Sequence, residues 1–124
     1  VKDVMVRAVV SISPDLSLQS AVEEFFVAYV YGGFSVMEEG QVVGVIAVED
    51  VQAVQQGLWS WRTVRDVMRP ASADMFIAPD ASIMQAMERM VRTGYDRLVV
   101  VDGGRPAGLV TRSGVAQFLQ LHKS

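Results

Sequence analysis

Apolar and polar positions run through the same series of patterns twice along this chain. In the first run, "VVSI" (9–12) is a short apolar stretch stopped by Pro14-Asp15, which predicts a strand ended by a turn. Leu18, Ala21, Val22, Phe25, Phe26 and Tyr29 then recur at the three- and four-residue spacing of a helix with one buried face. Two apolar stretches follow, "FSVM" and "VVGVIAV", around "EEGQ"; they predict two strands and a tight turn, and a second helix starts near Glu49. In the second run, "MFIA" (75–78) ends at Pro79-Asp80. Ile83, Ala86, Met87, Met90 and Val91 give the helical face, "RLVVV" and "PAGLVT" flank "DGGR", and a helix opens near Arg112 with Val115, Phe118, Leu119 and His122 on one face. Local signals agree with these elements. "SIMQ" (82–85) has the form of a capping box, Gly94 is placed to stop the helix, and Asp-Gly and Gly-Gly tolerate the positive φ of tight turns.

The two runs are copies. "VKDVM" (1–5) returns as "VRDVM" (64–68), "SISPDLSLQSAV" aligns with "FIAPDASIMQAM", and "GQVVGVIAVEDV" aligns with "GRPAGLVTRSGV". Each copy reads β-α-β-β-α. The expected fold is therefore α/β in the α+β sense: two repeats, residues 1–56 and 64–124, joined by a linker at 57–63 and packed with pseudo-two-fold symmetry. A unit of this size buries too little surface alone, so the pair is expected to share an interface with a cleft on either side. Trp59 and Trp61 in the linker are expected to pack over a junction.

Composition narrows the function. The chain has 124 residues, 51% of them hydrophobic, which fits a large core and an additional apolar face for association. No apolar run approaches the roughly 20 residues of a membrane helix, so direct membrane insertion is not expected. A net charge of −3 supplies no basic field for nucleic acid, and the local cluster Arg62, Arg65 and Arg69 reads as a solvated linker face. With no cysteine, disulfides and thiolate metal sites are excluded, which fits a cytoplasmic setting. The only histidine, His122, reads as solvent-facing and cannot build a zinc site. There is no H-E-x-x-H, no phosphate loop and no nucleophile–base pair, so the chain reads as non-catalytic. Opening on Val rather than Met is what a piece of a longer protein would show.

The order of these motifs, twice over, resembles the tandem CBS domain pair, or Bateman module, across essentially the whole chain. The residues carrying the resemblance are the two pentapeptides, "SPDLSLQSAV" and "APDASIMQAM", "RLVVVD" (97–102), and "GVIAVEDV" and "GLVTRSGV". The stretch from Glu23 to Val54, followed by "LWSWRTVRDVM", is similar to CBS pairs fused to membrane-embedded zinc proteases of the site-2 protease family. That resemblance implies a soluble regulatory part whose effector lies elsewhere in the parent protein.

CBS pairs bind AMP, ADP, ATP or S-adenosylmethionine through a motif G-h-h-T/S-x-x-D, whose acid takes the ribose hydroxyls and whose hydroxyl bonds an oxygen of the ligand. Both copies depart from it. "GVIAVED" keeps the acid, Asp50, but has Ala47 in place of the hydroxyl; "GLVTRSG" keeps Thr111 but has Gly114 in place of the acid. The resemblance implies that Asp50 faces Ile77, Tyr95 and Leu98, with Arg97 as the phosphate ligand. A second, weaker cleft would use Thr111, Ile12 and Arg112. Structural roles compete with these. Asp50 also suits the start of a helix, Thr111 suits an N-cap, and Arg97 suits a surface pair with Asp96 or Asp102. The expected function is a nucleotide-responsive regulatory module needing no cofactor. The alternative is a dimerisation or docking module whose clefts bind nothing small, and a homodimer is expected in either case.

Overall fold

A computed structural model of the chain describes residues 1–6, 10–28 and 32–122. They fall into two compact units, Val10–Ala71 and Val1–Val9 with Ser72–Ser124. The architecture is mixed α+β, with one sheet in each unit. The expected strand start at Val9 and the helix position Tyr29 lie outside the described residues.

In the unit Val10–Ala71, strand β1 (Ser11–Ile12) leads to helix α1 (Leu18–Ala21), whose N-cap Ser17 accepts a hydrogen bond from Ser20 N at 3.1 Å. The helix continues through Val22–Phe26 as a π-turn, with Val27 N bonded to Val22 O at 2.9 Å. The wider turn explains why two consecutive residues face inward. Phe25 and Phe26 both meet Phe34 edge-on, at 5.8 and 5.0 Å between ring centres. Strands β2 (Gly33–Glu38) and β3 (Gln41–Ala47) form a hairpin whose turn, Glu39-Gly40, has φ of 52° and 78°, the positive values that a two-residue turn between twisted strands requires. Helix α2 (Val48–Gln52), helix α3 (Val64–Val67) and strand β4 (Arg69–Pro70) complete the unit, and the sheet order is β1-β2-β3-β4. Its core gathers Ile12, Leu18, Phe34, Val36, Ile46 and Val64.

The other unit repeats the plan. Strand β5 (Phe76–Ile77) precedes helix α4 (Ile83–Thr93), strands β6 (Arg97–Asp102) and β7 (Arg105–Thr111), and helix α5 (Arg112–Leu121), with sheet order β5-β6-β7. The capping box forms as expected: Gln85 N donates to Ser82 Oγ at 3.0 Å, and Ser82 N donates to Gln85 Oε1 at 2.8 Å. Gly94 ends α4 at φ 80°. Ile77, Met90, Leu98, Val100, Val110 and Val115 form the core.

The duplicated pentapeptides have one structural role. Each leads into a short extended segment laid across a glycine of the last strand in a hairpin. In the first unit, Pro70 and Arg69 of β4 pair with Gly44 and Val45. A Cβ on Gly44 would lie 2.5 Å from Arg69 O and 2.8 Å from Met68 Sδ. In the second unit, Val6 exchanges hydrogen bonds with Leu109 at 2.8 and 2.9 Å. A Cβ on Gly108 would lie 2.5 Å from Val6 O and 3.2 Å from Met5 Sδ. Only glycine lets the backbones come this close. "VRDVM" thus packs onto the unit built from the first copy, and "VKDVM" onto the unit built from the second.

Three expectations need correction. Trp59 is half-buried against the first core and donates from Nε1 to Val54 O at 3.1 Å, but Trp61 is 82% exposed. Val91 is 76% exposed, because α4 turns only Ala86 and Met90 fully inward. On α5, Val115 is buried, whereas Leu119 is exposed; His122 is solvent-facing, as expected, with its ring 4.2 Å from that of Phe118.

Candidate functional site

The residue singled out as a ribose acid, Asp50, occupies the third position of α2. Strand β3 ends at Ala47, and the chain turns into the helix with Ala47 N donating to Asp50 Oδ2 at 2.8 Å. The other carboxylate oxygen, Oδ1, lies 3.6 Å from Arg69 Nε, and the Asp50 side chain is 14% exposed. The helix-start role anticipated for Asp50 is therefore real. It engages one oxygen directly and leaves the second at ion-pair distance from a guanidinium, beyond good hydrogen-bond length.

Sequence reading placed Arg69 with the solvated arginines and missed this contact. The contact depends on β4 pairing with β3, which places Arg69 beside the strand that ends at Ala47. Arg65 of the same cluster is also engaged, since its guanidinium bonds Glu38 and lies 3.3 Å from Asp15. The hydrogen bond Arg65 donates to Glu38, followed by the one it donates to Asp15, holds its pKa above the ordinary value. Asp66 lies below the usual carboxylate range, chiefly because Thr63 N donates to its Oδ2 at 2.9 Å.

The second unit brings Tyr95, Arg97, Thr111 and Arg112 to one end of its hairpin. Arg97 and Thr111 face each other across β6 and β7, and Arg112 N donates to Asp96 O at 2.9 Å. Thr111 is the N-cap of α5, its Oγ1 accepting from Gly114 N at 2.9 Å, so the structural role expected for it is present. Arg97 is 15% exposed and lies 3.3 Å from Asp96 Oδ2. Arg112 donates from Nη2 to Met90 O at 3.3 Å, and Tyr95 Oη pairs with Ser72 Oγ at 2.9 Å. Ile77, Leu98 and, in the first unit, Ile12 are core residues, at 5%, 0% and 1% exposure. Their side chains belong to the cores, so any contact they make with a ligand would go through backbone groups.

A groove of about 620 Å³ runs along β5 and α4, lined by Asp80, Gln85, Glu88, Arg89 and Arg92 among others. It includes Ile77 but none of the other candidate residues. Among the described residues no group of three or more His, Cys, Asp or Glu could hold a metal ion, and no helix is long and apolar enough to cross a membrane.

With the geometry in view, comparison with known proteins places the chain. The CBS domain family model matches twice, at residues 1–57 and 64–121. Over 120 residues the chain is 28% identical to the zinc metalloprotease MJ0392 of Methanocaldococcus jannaschii, covering 97% of this chain but 32% of that protein. The chain thus spans about a third of that relative's length. Among solved structures, the CBS domain of a bacterial CNNM/CorC family Mg2+ transporter in complex with ATP superposes with a TM-score of 0.78 at 23% identity, covering 94% of this chain and 83% of that one. CBSX2 in complex with AMP gives 0.76 at 24% identity, covering 99% and 97%. The chain belongs to the CBS domain family and carries the domain twice in tandem.

Proposed function

We propose that this CBS pair is a regulatory module that binds an adenine nucleotide through Asp50 and Arg97 and transmits its occupancy to an attached effector, a membrane zinc protease. The observation that carries the reading is Asp50 itself. It is mostly buried, oriented by the Ala47 amide, and keeps a carboxylate oxygen, Oδ1, that ribose hydroxyls could use. The ATP and AMP complexes of structural neighbours and the protease relative support the choice of ligand class and effector. Loss of the hydroxyl at Ala47 costs about one hydrogen bond, or up to roughly tenfold in affinity, and so weakens the site without removing it. Thr111, Arg112 and Ile12 form the weaker second set, since Gly114 supplies no acid there.

Titration calorimetry with AMP, ADP, ATP and S-adenosylmethionine tests this, alongside Asp50→Asn and Arg97→Gln. Binding lost or strongly weakened in both variants is the expected result. No binding of any ligand at millimolar concentration would overturn it. A second reading is then favoured by the apolar side chains Met84, Val91 and Leu121, all more than half exposed on α4 and α5. They suit a homodimer contact, and a strictly monomeric chain in light scattering would refute that reading.

A further inference from the structure

We infer that the groove between β5 and α4 is a second ligand site, which takes a small zwitterion of the α-amino acid class with an apolar side chain. Every residue lining it belongs to the unit of Val1–Val9 and Ser72–Ser124, and the inference does not depend on Asp50 or on nucleotide binding.

Helical spacing brings the chemistry to this groove. Glu88 and Arg89 stand four and three residues before Arg92, which puts all three on one side of α4. The facing wall is β5 and the turn after it, including Asp80. The space between the walls, about 620 Å³, is within the size range of small-molecule sites. Its four charged side chains balance, Arg89 and Arg92 against Asp80 and Glu88. A plain anion would meet two carboxylates there, and a plain cation two guanidinium groups. A ligand that carries both charges can satisfy each with its opposite.

The arginines are held in ways that suit a carboxylate. Arg89 Nη1 donates to Phe76 O, which carries the guanidinium from α4 across to β5 and uses one of its five donors. Arg92 Nη2 lies 3.4 Å from Asp74 Oδ1, with the two side chains 57% and 52% exposed. So exposed a pair is weak, and a ligand carboxylate can compete for the guanidinium. The planar fork takes both oxygens of a carboxylate at once. Glu88 and Asp80 supply acceptors for an ammonium group, and Phe76 and Ala81 supply an apolar wall for an aliphatic side chain. The fold itself does not call for this set. In the first copy Glu24 stands where Arg89 does, at the offset that aligns Pro14 with Pro79, and that copy forms its strand and helix as well.

The test is calorimetric titration of the 124-residue chain with L-leucine, N-acetyl-L-leucine and L-leucinamide, which carry both charges, only the carboxylate and only the ammonium. Leucine should bind at least about tenfold tighter than either derivative, since each derivative lacks one charged partner. Glu88→Gln should weaken leucine and leucinamide and spare N-acetyl-L-leucine. Arg92→Gln should weaken leucine and N-acetyl-L-leucine and spare leucinamide. Thermal melts show that the variants keep the fold, and leucine should shift the backbone amide resonances of residues 76–81. No binding of leucine at millimolar concentration would overturn the inference. So would a singly charged derivative that binds wild type as tightly as leucine, or leucine binding that either variant leaves unchanged.

Discussion

Replacing Gly44 by alanine adds one methyl group at the point where β4 crosses β3. That methyl would sit 2.5 Å from Arg69 O and 2.8 Å from Met68 Sδ, against the roughly 3.5 Å of an unstrained contact. The methionine sulfur can swing aside. The carbonyl cannot easily do so, because it belongs to a strand held in register with Gly44 and Val45. Overpacking of this kind costs about 1–3 kcal/mol. Alanine also restricts the unfolded chain, which returns about 0.4–1 kcal/mol. The expected net loss is about 1–2 kcal/mol, read as a lower urea midpoint at unchanged slope. Gly57→Ala is the internal control, since a Cβ there meets nothing within 4 Å and the residue does not need a positive φ; it should be neutral or slightly stabilising. If Gly44→Ala proves as stable as Gly57→Ala, the close crossing does not constrain the fold. If combining it with Met68→Ala restores the whole loss, the sulfur and not the backbone is the obstacle.

Other outcomes follow from single contacts. Thr111→Ala should cost about 1 kcal/mol in thermal or chemical unfolding through loss of the cap to Gly114 N, while Thr111→Ser should keep most of it. Asp66 has its folded pKa below the unfolded value, so the stability it contributes is present above about pH 4 and is lost as pH falls through the folded value. Asp66→Asn should therefore flatten the acid side of a stability–pH profile below about pH 4 and leave its neutral side parallel to wild type. The tryptophans are separable by fluorescence: Trp61→Phe should leave a blue-shifted emission from half-buried Trp59 and unchanged stability, and Trp59→Phe should leave a red, fully solvated one.

Much of the fold was legible because periodicity and turn chemistry agreed, as at Ser82–Gln85, Gly94 and the hairpin at Gly103-Gly104. What sequence could not give were facts that depend on register or on a distant partner. The π-turn at Val22–Phe26 preserves an amphipathic pattern, so spacing alone reads it as ordinary helix. Val91 carries an apolar side chain on a surface position, which periodicity counts as core. At the site, Asp50 and Thr111 were visible as motif remnants, and their local capping roles were predictable from position. Arg69 was not, because its contact with Asp50 depends on β4 lying against β3, a pairing that no local pattern encodes.

The opening segments raise a question of ancestry. Each repeat, as written in sequence, surrenders its leading pentapeptide to the unit formed by the other and receives the other's in return. A primordial protein with a single repeat would have had either to fold its lead-in back on itself or to trade it with a second molecule. The trade is a domain swap, and a swapped pair needs only gene fusion to become one chain. On that view the duplication did not create the exchange but made an existing dimer permanent.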